Sequence, residues 1–423
     1  MGPQELTPHL FRTEYSKIVA VLCRTFHFRH IEIAADIASE TFLKASEYWA
    51  QKGVPENPAA WLYTVARNKA KDYLKHTAIF ETEIRKGLMH DESWTELDFD
   101  FNHQTISDSQ LAMIFAACNP VNSSEAQLCL TLQILCGFSL VEISNALLAK
   151  QETIKKRLQR ARENLRNENF QIKSLSEDEI KTRFEVVLRA LYLLFNEGYF
   201  SKSNSLLIRK DLCLEAIRLA LVLTGNELTD TPEANALLAL MCFQSSRLEA
   251  RTDESGAAVL FDEQDRSLWD QALIQKGNHY LIQASKGTEL SKYHLEAAIA
   301  YWHTTTADPK KWQHILNLYN ELIVVEYSPV TALNRVFAYA KVYGNDNGIR
   351  EAEKLNLKES GYFHGLLGYL YTGLDSNKAL EHYRKAILLT KSEAERKVLE
   401  KQVFRLIPIP EKDSRHDGDS FTL

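Results

Sequence analysis

Apolar residues recur along this chain at intervals of three and four, the spacing of one helix face, from about residue 10 to about residue 409. Alternation of period two is scarce and β-branched runs are rare, so the pattern predicts an all-α protein. Residues 10–50 read as two amphipathic helices. The second, IEIAADIASETFLKASEYW, places Ile33, Ile37, Thr41 and Ala45 on one face and leaves Asp36, Glu40, Lys44 and Glu47 largely off it. Gly53, Pro55 and Pro58 then end one helix and start another, with Asn57 as N-cap and Pro58 at the first helical position. Helical pattern resumes at Asp108, breaks at Pro120, restarts from a cap at Ser123 or Ser124 and stops at Gly137.

Charge changes the picture locally, not globally. The chain carries −6 over 423 residues. From Lys150 to Arg166, however, seven bases face two acids, a net of +5. Glu142 to Arg166 therefore reads as a helix, a tight break and a strongly basic second helix, the shape of a helix-turn-helix. Thr153, Lys156, Arg157 and Arg160 share one face of the second helix, and Ile154, Leu158, Ala161 and Leu165 form the opposite, buried one. A solvated basic face is the plainer account. The preceding helix, with Leu140, Ile143, Ala146 and Leu147 turned inward, favours the DNA-reading one.

The helix 59–76 interleaves Trp61, Tyr63 and Tyr73 with Arg67, Asn68 and Lys69 at a net of +3. Aromatic faces beside cations suit unstacked bases. A core of aromatics with a wet basic rim fits the same residue types equally well. Residues 81–110 carry −6 with poor periodicity, which reads as an acidic linker between two small helical domains.

The six cysteines form no CxxC pair and sit among apolar residues, as buried free thiols in a reducing cytoplasm do. The thirteen histidines have no metal-ligand spacing. The acids of RTDESGAAVLFDEQD lack the calcium-loop order, and a hairpin-like turn at Ser255–Gly256 is expected there instead. No apolar run approaches the length of a membrane span, so no membrane partner is expected. No nucleophile elbow, phosphate loop or paired-carboxylate motif is present, so neither catalysis nor a cofactor is expected.

From Ser174 to about Ile409, helical segments of 12–18 residues alternate with short breaks, the texture of an α-solenoid. The clearest unit sets Gly368 and Tyr371 on one helix against Ala379, Tyr383 and Ala386 on the next. It resembles a tetratricopeptide repeat.

AADIASETFLKASEYW followed by NPAAWLYTVARNKAKDYLKH resembles region 2 of bacterial RNA polymerase sigma factors of the extracytoplasmic-function type, and SLVEISNALLAKQETIKKRLQRAR resembles their region 4. NEGY at 196–199, DLCLEAIRLA at 211–220 and DEQDRSLWD at 262–270 resemble the subgroup with a C-terminal tetratricopeptide-like extension. The resemblance implies region 2 at 1–80, an acidic linker at 81–107, region 4 at 108–170, a helical extension at 174–409 and a flexible tail at 410–423. It implies that Asp36, Glu40 and Phe42 contact core RNA polymerase. Trp61, Arg67, Asn68 and Asp72, with Lys69 beside them, are then expected at the melted −10 element of promoter DNA. Thr153, Lys155, Arg157 and Arg160, with Lys156, are expected at the −35 element. Leu148 and Lys150 depart from the family's glycine and proline at the turn. The extension is expected to regulate this activity in cis, through an intramolecular or a protein partner. Residues 120–423 alone also fit a one-component transcription regulator with a solenoid sensor. That alternative leaves Asp36 to Asp72 without a task.

Overall fold

The computed structural model describes residues 3–26, 31–84, 99–147, 149–167, 176–199, 208–253, 259–305, 308–390 and 393–407. The expected tail at 410–423, the middle of the acidic linker, Leu148 and the turn at Ser255–Gly256 lie outside them. The described residues are helical almost throughout, in keeping with the all-α expectation. They form two compact units. The first is 1–248 with 269–297, and the second is 249–268 with 298–423. The expected boundary at 174 is thus not where the chain divides. The helices after residue 176 continue the first unit without a break in its core.

The first unit begins with α1 (Pro3–Phe26), α2 (Ile31–Lys52) and α3 (Pro58–Ile84). Asn57 caps α3, its Oδ1 accepting from the Ala60 N–H at 3.0 Å. Helix α4 (His103–Ala117) starts one turn before the expected Asp108, because Asn102 captures the Thr105 N–H at 2.7 Å. Together, α3 and α4 take both ends of the span expected to be linker. Ser123 then caps α5 (Ser124–Leu130), which runs into a π-helical turn at Thr131–Leu135 and stops at Gly137, φ +67°. A capping box, Ser139 with Glu142, opens α6 (Leu140–Ala146), and α7 (Gln151–Asn167) follows.

Four further helices complete the unit: α8 (Glu177–Tyr199), α9 (Lys210–Thr224), α10 (Pro232–Ser245) and α11 (Gln271–Ala284). Every residue of α4 from Ser109 to Ala117 is buried. A helix with no polar stripe must be enclosed. Here α1 packs on α4 from one side, the π-helical turn from another, and α8 and α9 cover the rest. Fully burying each large side chain there, such as Met113, Ile114 and Phe115, stabilises by roughly 1.5–3 kcal/mol. Helix α10 is enclosed in the same way by α8, α9 and α11, and Gly277 lets the Phe243 ring lie against α11.

Helix α12 (Lys292–Thr304) runs across the division. In the second unit, α13 (Lys311–Val325), α14 (Pro329–Tyr343), α15 (Asn345–Glu353), α16 (Gly361–Tyr371), α17 (Ser376–Leu389) and α18 (Glu393–Leu406) pack in series, each on the next, with α14 also on α16. Stability in such an array is a sum of neighbour interfaces. Ala379, Tyr383 and Ala386 are buried between α16 and α17, as their spacing predicts. Gly368 is the point of closest approach: a methyl group there would sit 2.7 Å from the Tyr383 ring.

Two outcomes follow from this packing. Gly368→Ala overpacks the α16–α17 seam and should destabilise the second unit by about 1–3 kcal/mol, read from its denaturant midpoint. A chain ended at Asn167 loses α8 and α9 and leaves one side of α4 in water. It should bind a hydrophobic dye and unfold without a sharp transition. A cooperative, dye-free 1–167 would instead show that α1–α7 stand alone.

Candidate nucleic-acid interface

Helix α7 separates its two faces cleanly. Ile154, Leu158, Ala161 and Leu165 are buried, at the spacing of four, three and four that the sequence dictates. Thr153, Lys155, Lys156 and Arg160 are exposed on the rest of the surface, and Lys150 stands exposed just before the helix. None of these four bases has a carboxylate within ion-pair distance among the described residues. Ile143 is fully buried beneath α7, with Leu140 and Leu147 partly so, and the Ser144 hydroxyl ties the turn by donating to the Ala149 carbonyl at 2.6 Å. The Ala146 side chain lies outside the described residues. That turn closes without the glycine and proline the resemblance led one to expect.

Arg157 differs from its neighbours. It is half-buried against α5, in hydrogen-bonding reach of the Cys129 thiol, which burial pushes up to about 11 against the pull of the guanidinium. Glu125 sits below the ordinary carboxylate range, held there by its own backbone N–H and the Ser123 hydroxyl and, more weakly, by Arg157 and Arg189. Arg157 therefore anchors α7 to α5 as well as offering charge.

Two other bases of the stripe are already engaged. Arg166 donates to the Glu32 carboxylate of α2 at 2.7 Å, and Arg162 reaches the same oxygen at 3.4 Å and the Gln133 side chain at 2.9 Å. Glu32, Asp36 and Glu40 lie four residues apart on α2 and share a stripe. Its far end, Glu40, holds Lys69 of α3 at 2.6 Å. Asp36 is exposed between the two clasps. Phe42, expected at a protein contact, is buried instead, its ring edge-on to Phe11 at 5.0 Å. Sequence spacing alone puts it beside Thr41 on the inward side, so its place in the core was legible.

On α3 the aromatics and bases split between packing and exposure. Trp61 is half-buried, stacked on Tyr48 at 5.5 Å and tilted against Trp49 at 5.4 Å. Tyr48 is 46% exposed, so the pair presents an aromatic surface that the spacing on α3 alone did not reveal. Tyr63 donates its hydroxyl to Glu14 and stacks on Phe101. Arg67 donates its Nε–H to the Phe99 carbonyl at 2.8 Å and lies over the Phe101 ring, so it fastens the chain that leads into α4. Asn68 and Asp72 are exposed, one helical turn apart. The structure thus groups Asn68, Lys69 and Asp72 on the outer side of α3, while Arg67 and Tyr63 serve its packing. Among the described residues all six cysteines are buried free thiols, and no helix is long and apolar enough to cross a membrane.

Comparison with known proteins bears on this geometry. Residues 10–78, spanning most of α1–α3, match sigma-70 region 2. Residues 183–285, spanning α8–α11, match a family of unknown function, DUF6596. The uncharacterized protein R00370 of Rhizobium meliloti (strain 1021) is 31% identical over 393 residues, covering 91% of this chain and 92% of its own length. This chain belongs to the R00370 family. Its member here also resembles the RNA polymerase sigma factor YlaC of Bacillus subtilis (strain 168), at 31% identity over 99 residues, 23% of this chain and 54% of that one. No solved structure matches. Asp36, Glu40, Phe42, Trp61, Arg67, Asn68, Lys69 and Asp72 all lie within the sigma-70 region 2 match.

The Glu32 clasp gives a measurable outcome. Glu32→Gln frees Arg162 and Arg166, and each can then neutralise one phosphate. The slope of log affinity against log salt for duplex DNA should steepen by up to about two units. An unchanged slope would mean that neither arginine reaches the backbone.

Proposed function

We propose that this chain is an RNA polymerase sigma factor of the extracytoplasmic-function type, acting in the cytoplasm with core RNA polymerase on promoter DNA. The observation that carries the reading is a pairing within one unit: a sigma-70 region 2 domain and an exposed basic helix, α7, seated on a capped α6. In this reading α7 lies in the major groove of the −35 element, with Thr153, Lys155, Lys156 and Arg160 outermost and Arg157 at the edge. Asn68, Lys69 and Asp72 of α3, with the Trp61 ring, meet bases of the melted −10 element. Unstacking those bases costs a few kcal/mol, which aromatic surface can offset. Asp36 and Glu40 face the polymerase. The bond-forming chemistry belongs to the polymerase, so the chain needs no catalytic group or cofactor. The helices of the second unit, tetratricopeptide-like in the α16–α17 pair, act with α8–α11 in cis on the same activity.

Run-off transcription with core polymerase and the full chain on a genomic promoter library tests this. Promoter-specific transcripts are expected. Their absence, together with failure to bind core polymerase, would overturn the reading in favour of a DNA-binding regulator.

Single substitutions sort the roles. Arg160→Ala should cost about 1–3 kcal/mol if its guanidinium makes a bidentate base contact, and relax preference at that base pair. Lys155→Ala should weaken all duplexes evenly and lower the salt slope by about one. Trp61→Ala should impair open-complex formation, read by permanganate reactivity, more than closed-complex binding. Equal loss in both would mark a packing defect.

A further inference from the structure

The chain between the π-helical turn and α6, Leu135–Ser139, is gripped from two sides. On one side are two arginines of the DUF6596 segment. Arg218 of α9 donates an Nη2–H to the Leu135 carbonyl at 3.0 Å. That carbonyl closes a helix, where no intrahelical donor remains for it. The same guanidinium is steadied by the buried Glu215 carboxylate, at 2.9 Å from Nε and 2.8 Å from Nη2. Arg209, at the N-terminus of α9, sets its guanidinium 5.5 Å from the centroid of the buried Phe138 ring, and Asp211 pairs with it at 3.0 Å. Arg209 is itself placed by the chain behind it. Its N–H donates to the Gly198 carbonyl at 2.7 Å, and a methyl group on Gly198 would sit 2.8 Å from the Cys213 nitrogen. The NEGY and DLCLEAIRLA segments thus supply the glycine, the aspartate, the glutamate and one of the arginines of a single assembly.

On the other side is α1. Gly137 has φ +67°, and a methyl group there would come within 3.2 Å of the Phe11 and Tyr15 rings. The gripped segment lacks the hydrogen-bond ladder of a regular helix. A left-handed glycine has little local preference, and the Phe138 N–H closes onto Leu132 at 3.0 Å in a wide turn. What fixes the path of the chain into α6 must therefore come from outside it.

We propose that Arg209 and Arg218 are positioning residues for the DNA-reading helices: they fix the direction in which the chain enters α6 and so the presentation of α7. The DUF6596 segment is then a strut of the helix-turn-helix, built into it. The consequence at DNA rests on the sigma-factor reading above; the strut itself does not.

The test uses the full chain and the variants Arg209→Ala, Arg218→Ala and Arg218→Lys. Thr229→Val, which removes a buried hydroxyl bond to the Leu223 carbonyl in the α9–α10 turn, serves as a control for general loosening. Hydrogen exchange is followed in peptides over 136–147 and over α10. The two alanine variants, one losing a charge-assisted bond to Leu135 and the other the cation–π contact with Phe138, should each exchange about tenfold faster at 136–147 with α10 unchanged. Arg218→Lys, which keeps one donor and the charge, should fall between. Affinity for promoter duplex should weaken about tenfold in the same order. The salt slope and the binding-competent fraction should stay constant, because the phosphate contacts are redirected, not removed. A merely structural role would lower the competent fraction and speed exchange in α10 as well, as in the control. That pattern, or unchanged exchange at 136–147, overturns the proposal. If the wild-type chain neither binds duplex nor supports transcription, the sigma-factor reading fails, and the exchange result still decides the strut.

Discussion

The enclosure of α4 is the constraint on which the first unit depends. Nine consecutive residues of one helix, Ser109–Ala117, are buried. Such a helix cannot sit on a surface, because any side left open would expose several large apolar side chains at roughly 1.5–3 kcal/mol each. Three parts of the chain must therefore meet on it: α1 of sigma-70 region 2, the π-helical turn that leads to α6 and α7, and α8 and α9 of the DUF6596 segment. The consequence is cooperative. Region 2, the basic helix and the start of the extension share one core, and a change that loosens any of them is felt by the other two.

Electrostatics then acts on a frame already set. The chain is acidic overall, and three bases of α3 and α7 are met by carboxylates of α2, with Glu32 on Arg162 and Arg166 and Glu40 on Lys69. These pairs are partly exposed, and exposed pairs are worth about 0–1 kcal/mol each. That magnitude decides their role. They are too weak to hold the unit together, and weak enough for a polyanion to take the bases from them. On the reading proposed above they would restrain indiscriminate attraction to DNA, while Lys150, Lys155, Lys156 and Arg160 stand clear of them.

Much of this was legible in the sequence, and the rest was hidden for identifiable reasons. The buried face of α7 follows from the spacing of Ile154, Leu158, Ala161 and Leu165, and the caps Asn57, Ser123 and Ser139 from local chemistry, because both depend only on neighbours within a turn. The roles of Arg67 and Arg157 were not legible. Each is settled by a partner far along the chain, the Phe99 carbonyl and the Cys129–Glu125 side of α5. Phe42 is the opposite case: its position beside the inward-facing Thr41 argued for the core, where it lies. The continuation of the first unit past 174 had a signal as well. LAMIFAAC in α4 and ANALLALMCF in α10 have no polar stripe, and a helix apolar all round needs more neighbours than a small two-domain protein can supply.

The two units divide the work of stability differently. In the second, each helix leans on its chain neighbours, with close points such as Gly368 against Tyr383, so a local disturbance stays local. In the first, α1, the π-helical turn, α8 and α9 converge on α4, and Leu135–Ser139, with its left-handed Gly137, lies beside them. Coupling between distant parts of a protein requires an element that can take two arrangements and that both parts can bias. Leu135–Ser139, held by aromatic rings of α1 on one side and by arginines of α9 on the other, is such a meeting point, and it leads directly into α6 and the basic helix. Region 2 touches that segment through Phe11 and Tyr15, and the DUF6596 segment through Arg209 and Arg218. Both would reach α7 by the same few residues.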